Sequence, residues 1–322
     1  MASLSMLIDR VHSGKSAVEL AYTSHEQWPL PRSSIGDVLH VSVLDSSFNP
    51  PTLAHLALAN APCPFSLDPS TSARGPPDYD AVLLLLSVRN ADKKLNPGDA
   101  TYVQRLKMMI LLAKDIVRHQ PDPNILDHMQ RSDSPVPLHT NVAVAIIDEP
   151  TFVGKSKTLL QFLRHRLSLI HASCTTADPP MVDVQLAAAL NRPVNPKLTF
   201  LVGMDTLERL FAPRYYPSEQ AMLDSLRRLF SSDHDDARVV CARRALSGGL
   251  RKEDEEERKV LDVAHEFLLA NRVTVIDIGE HERNISSTEI RNLLRMGDFT
   301  WREKVTPLVA EYVAERGLYR TP

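Results

Sequence analysis

Three cysteines in 322 residues, Cys63, Cys174 and Cys241, are too few and too scattered to staple a fold. None stands in a CxxC pair, so the expectation is reduced thiols in a reducing compartment. Charge of one sign is also lacking. The formal net charge is −3, which excludes a global field that would draw in nucleic acid or an anionic membrane. Any anion site must be built locally. Long apolar runs are missing: the longest, AVLLLLSV, is too short to cross a bilayer. The opening MASLSMLIDRVHSG holds an acid within its apolar patch and no small-residue cleavage pattern. It reads as an amphipathic helix rather than a signal peptide, and the expected location is the cytoplasm, with the nucleus as the alternative. There is no GxSxG elbow and no internal repeat. His281 and Glu282 are adjacent, but nothing with zinc spacing accompanies them, so no metal site made of protein ligands is expected.

What is present is a rhythm. Residues 2–13 read as a helix and 14–37 as a linker broken by WPLPRSS, so 1–37 is set apart from a domain at 38–322. Apolar runs then recur at 38–44, 81–88, 142–147, 198–202, 238–242 and 273–278. Each is nearly continuous, as suits parallel strands covered on both faces. Helical patterns alternate with them at 53–60, 101–118, 158–172, 219–230 and 253–270, and two more, near 287–296 and 305–316, close the chain. The alternation predicts an α/β protein with a doubly wound parallel sheet and C-terminal helices. Segments near 61–78 and 120–139, rich in proline and small polar residues, read as surface insertions.

In open parallel sheets, ligands bind beyond the carboxyl ends of the strands, where strand order reverses. The residues that follow the predicted strands include Asp45 to His55, Arg89 to Lys94, Asp148 to Lys155, Gly203 to Arg209, Arg243 with Arg244, and Asn284 to Arg291. They concentrate cations and hydroxyls in a chain of slightly negative charge, which points to a polyphosphate ligand.

Two stretches stand out. In SSFNPPTLAHL, Pro50 and Pro51 cannot continue a strand, and Thr52 sits where a helix begins, with its hydroxyl free to cap. His55 lies one turn in, on the side of Thr52, aimed at whatever anion the helix start holds. The plainer alternative is a proline stop signal followed by a core histidine. In NISSTEIRNLLR, Ser286 and Glu289 match a capping box. Ser287, Thr288 and Arg291 add two hydroxyls and a guanidinium to the same helix start, which also suits a triphosphate. The other histidines His40, His139 and His234 lack such context.

Together, SFNPPTxxH and ISSTxIR resemble the nucleotidylyltransferase superfamily, and most closely the nicotinamide mononucleotide adenylyltransferases. NADKK, VGMDTLERLFAPRYY and VTPLVAEYVAERGLY resemble further segments of that family, so the resemblance runs from about residue 40 to the end. It departs where the family has glycine: Ser46 stands before SFNPP and Ala54 before the motif histidine.

The resemblance implies a Rossmann-like nucleotidylyltransferase fold and a role in NAD biosynthesis. The implied enzyme transfers AMP from ATP to nicotinamide mononucleotide (NMN), giving NAD and pyrophosphate. Mg²⁺ is expected to arrive on the ATP phosphates. His55, Arg291 and Lys94, with Lys93 as the alternative to Lys94, are the implied catalytic groups. Ser47, Phe48, Asn49, Thr52, Gly203, Asp205, Ile285, Ser286, Ser287 and Thr288 are the implied nucleotide-binding residues. Phe152, Lys155 and Arg209 are assigned to the acceptor, Phe152 as the stacking aromatic. Asp205 reads either as a ribose ligand or as a helix N-cap, and Arg209 and Arg214 either close over the site or pair with Glu208. Nicotinate mononucleotide or pantetheine phosphate as acceptor, and a non-catalytic ATP-binding regulator, stay open. No nucleic acid or membrane partner is expected; a homo-oligomer is an open option.

Overall fold

The computed structural model describes residues 3–29, 38–65, 79–89, 98–116, 141–175, 194–243 and 251–320. Lys93, Lys94, His139, Arg244, the insertion at 120–139 and most of that at 61–78 lie outside the described residues.

One seven-stranded sheet organises the molecule. Its strands are β1 (Val18–Thr23), β2 (Val38–Asp45), β3 (Ala81–Ser87), β4 (Val142–Ile147), β5 (Asn195–Gly203), β6 (Arg238–Ala242) and β7 (Val273–Ile276). Their order is β1-β4-β3-β2-β5-β6-β7. All neighbours pair in parallel except β1, which runs antiparallel to β4. The six parallel strands are the six apolar runs. Their continuity has a direct cause: Leu83 and Leu85 enter one core while Val82, Leu84 and Leu86 enter the other. Ala143, Ala145 and Ile147 divide from Val142, Val144 and Ile146 in the same way. Each Val, Leu or Ile among them, fully withdrawn from water, contributes about 1.5–3 kcal/mol.

Helices cover both faces. On one lie α4 (Phe152–Thr175), α6 (Glu219–Phe230), α7 (Arg251–Val263) and α8 (His265–Leu269), with α5 (Met204–Leu210) directly after β5. On the other lie α1 (Leu4–His12), α2 (Leu53–Asn60) and α3 (Tyr102–Asp115). A third cluster sits under α9 (Ser287–Met296), a 3₁₀ turn (Phe299–Lys304) and α10 (Pro307–Glu315), where Ile290, Leu294, Val309 and Val313 meet Met108 of α3.

Several expectations change. The stretch at 14–37 contains β1, an edge strand of the sheet, where only linker was expected. Only Val18 in VELAYT is fully buried, so the edge strand lacks the apolar run that marked the others. The helix expected over 253–270 is two helices, α7 and α8, meeting at Ala264. Helix α4 begins at Phe152, ahead of the expected 158.

Strand order reverses between β2 and β5: successive strands step outward from this pair in opposite directions. A crevice therefore opens above their carboxyl ends.

Candidate active site

A cleft of about 700 Å³ occupies that crevice. It is lined by the segments after the parallel strands: Asp45, Ser46 and Ser47; Ser87 and Arg89; Thr151 and Phe152; Gly203, Asp205 and Thr206; Ala242 and Arg243; and Ile285, Ser286, Ser287 and Thr288. The start of α2, with Thr52, Ala54 and His55, forms one wall, and Arg291 of α9 stands on it.

Thr52 is the N-cap of α2, and His55 is the third residue of that helix. Thr52 Oγ1 accepts the His55 backbone N–H at 3.4 Å, and His55 Nδ1 accepts the Thr52 backbone N–H at 3.1 Å. The imidazole thus completes the capping box usually closed by Glu or Gln. Thr52 Oγ1 also lies 2.8 Å from Nδ1. An Nδ1 that receives a backbone N–H carries no proton, so the neutral ring is protonated on Nε2, 2.9 Å from Ser46 Oγ. Burial lowers the His55 pKa to about 4, so the ring is neutral at physiological pH. One ring nitrogen therefore serves the helix cap, and the other meets Ser46 on the cleft wall.

Phe48 was expected to serve through its backbone; its side chain is fully buried, with its ring against His55 at a centroid separation of 5.2 Å. Its φ of 45° turns the chain sharply between Ser47 and Asn49.

The start of α9 meets this wall. Ser286 caps it, accepting the Glu289 N–H at 3.1 Å. Glu289 does not close a capping box; its carboxylate pairs with Lys304 at 3.0 Å. Ser287 Oγ donates to Pro50 O at 2.7 Å, and Arg291 Nη1 donates to Asn49 O at 2.7 Å. Arg291 Nη2 also reaches Thr288 Oγ1 at 3.2 Å. The two motifs, more than two hundred residues apart, are bonded to each other. Asn49 Nδ2 donates to Asp99 at 2.8 Å, and its Oδ1 accepts from Tyr319 Oη at 2.9 Å. Burial raises the Tyr319 pKa, so the phenol stays a donor. Asp99 lies 3.7 Å from Arg105 and 3.8 Å from Arg291, a carboxylate between two guanidiniums.

The expected acceptor residues Phe152, Lys155 and Arg209 all line the cleft. Lys155 lines it, but its Nζ is 2.5 Å from Asp45 Oδ2 and both side chains are buried, so its charge is balanced at the cleft floor. Phe152 is only 9% exposed and sets its ring edge-on to Phe200 at 5.3 Å, which leaves little face for stacking. Tyr215 and Tyr216 also line the cleft and are half-buried, which makes them the better-placed aromatics. Gly203 is the N-cap of α5, and Asp205 lies within that helix with its side chain exposed at the cleft, so Asp205 is not the cap. Arg209 lines the cleft, whereas Arg214 reaches Glu208 at 3.5 Å and stacks on Tyr215. Among the residues not assigned a role from the sequence, Asp99, Arg105 and Arg283 line the cleft, as do Arg89 and Arg243. Only the last two carried a signal, their place directly after a strand.

The sequence is 26% identical over 276 residues to a Schizosaccharomyces pombe protein named "Putative nicotinamide mononucleotide adenylyltransferase", covering 83% of this chain and 80% of that one. The chain resembles the nucleotidylyltransferase superfamily. The relative is by name an adenylyltransferase, in agreement with the nucleotidyltransferase class expected from the two motifs. No protein-family model matches. Two solved Plasmodium falciparum structures, nicotinic acid mononucleotide adenylyltransferase complexed with NaAD and with APC, are 14% and 13% identical, with TM-scores of 0.40 and 0.39. Each match covers 87% of this chain and 97% of that one. At such scores they add nothing to the strand order already described. Among the described residues, no helix is long and apolar enough to cross a membrane.

Proposed function

We propose that the protein transfers the adenylyl group of MgATP to the phosphate of NMN, giving NAD and pyrophosphate. The observation that carries this reading is the meeting of two helix starts, those of α2 and α9, on one wall of the switch-point cleft. That wall presents N–H groups, hydroxyls and a guanidinium, the donor set that a triphosphate requires. The named activity of the S. pombe relative supports the choice of acceptor.

An oxygen of the acceptor phosphate attacks the α-phosphorus of ATP. Its lone pair forms the new O–P bond, and the pair of the broken α–β bridge leaves with pyrophosphate. The attacking oxygen is already anionic at neutral pH, so no general base is needed. Positioning and stabilisation of negative charge dominate. His55 offers a neutral N–H donor, and Arg291 with Ser286, Ser287 and Thr288 holds the β- and γ-phosphates. Gly203 and Asp205 take the adenosine ribose. Lys94 is assigned a phosphate on the strength of its motif alone. The magnesium ion enters with ATP, on its phosphate oxygens.

His55→Ala is expected to lower turnover by about 10²- to 10³-fold while ATP affinity changes little. Turnover is followed as dinucleotide and pyrophosphate with NMN, nicotinate mononucleotide or pantetheine phosphate as acceptor. Unchanged turnover in the variant contradicts the role of His55. A dinucleotide formed only with nicotinate mononucleotide moves the assignment to that acceptor. ATP binding with no product from any of the three leaves a regulator.

A further inference from the structure

Ser46 and His55 meet on the wall of the cleft. Ser46 Oγ is 2.9 Å from His55 Nε2. On the far side of the imidazole, Nδ1 is engaged by the backbone N–H of Thr52. A backbone amide can only donate, which places the ring proton on Nε2 and directs it at Ser46 Oγ. A hydroxyl that accepts one bond still has a proton to give, and among the described residues no protein group accepts it. The donors therefore run one way: Thr52 N–H to Nδ1, Nε2–H to Oγ, and the serine O–H outward.

We infer that Ser46 is a positioning residue, fixing the Nε2–H tautomer of His55 and relaying that donor, through its own hydroxyl, to a phosphate oxygen of the bound nucleotide. The inference rests on the adenylyl-transfer reading for its substrate, and on the hydrogen bonds alone for the tautomer. Linked donors polarise one another, so a hydroxyl backed by an imidazole N–H is a stronger donor than an isolated serine. A phosphate that bonds Nε2 directly must first displace that hydroxyl.

Two substitutions separate relay from packing. Ser46→Ala removes the donor and still blocks the approach with a methyl; it is expected to lose about tenfold to a hundredfold in turnover, the size of one charge-assisted hydrogen bond, with little change in the KM for ATP. Ser46→Gly opens the path to Nε2–H and is expected to keep more turnover than Ser46→Ala. A packing role gives the reverse order, because glycine removes more of the side chain. The second readout needs no turnover: ¹⁵N NMR of histidine-labelled protein, with His55 assigned by its loss in His55→Gln. The expected spectrum shows the Nε2-protonated ring, and a non-hydrolysable ATP analogue shifts that resonance in the native protein more than in Ser46→Ala. An Nδ1-protonated ring, native turnover in Ser46→Ala, or Ser46→Gly falling below Ser46→Ala overturns the inference. Should the native protein transfer adenylyl to no acceptor, the functional reading falls and the NMR arm alone decides the role of Ser46.

Discussion

At the scale of single residues, His55 and Gly203 give the most direct handles. Burial sets the His55 pKa at about 4, against 6.5 for the exposed group. Between those values the unfolded chain holds a proton that the folded chain does not. Stability therefore rises with pH across that window and is lost as pH falls from about 6.5 toward 4. His55→Gln removes that titration. Urea midpoints measured at several pH values are expected to fall less steeply for the variant; equal slopes contradict a buried neutral imidazole. Gly203 offers a different test. A methyl placed there meets no protein atom within 4 Å, and its φ of −86° suits any residue. Gly203→Ala is expected to leave the melting temperature unchanged yet weaken ATP binding by about tenfold, the order of one lost contact. Native affinity by calorimetry excludes a close backbone approach of the nucleotide at this position.

At the scale of elements, the site exists because two helix starts are tied together. Ser287→Ala removes the donor to Pro50 O while leaving the cap at Ser286 intact. The expected cost is about 1 kcal/mol in chemical denaturation, with a raised KM for ATP; a lower stability with unaltered KM assigns the bond to folding alone. Much of this level was legible in advance. Helices α2, α6 and α9 fall where capping and periodicity set them, at Leu53–Asn60, Glu219–Phe230 and Ser287–Met296. The edge strand β1 was not, because VELAYT is half-exposed and gives no apolar run. The histidine as a capping partner was hidden too, since the pattern ordinarily calls for Glu or Gln.

At the scale of the molecule, the local character of the anion site follows from a net charge of −3. Guanidiniums line the cleft from the segments after β3 and β6 and from α3, α5 and α9, and Asp99 lies between two of them. The strand-end rule found the cleft and most of its lining. It did not find the Asp45–Lys155 pair, joined across 110 residues, or the Tyr319–Asn49 bond across 270, because such contacts leave no trace in local sequence. The family resemblance, for its part, suggested Phe152 for stacking, a ring that packs edge-on against Phe200. Ala54 has a physical setting as well: it packs on the cluster under α10 and also lines the cleft. The central claim is adenylyl transfer at this switch point. Incubation with Mg²⁺, NMN and ATP labelled with ³²P at either the α- or the γ-phosphate tests it most directly. The account predicts α-label in the dinucleotide and γ-label in pyrophosphate, in equal amounts. Release of γ-label as inorganic phosphate, with no α-label in any dinucleotide, would contradict it.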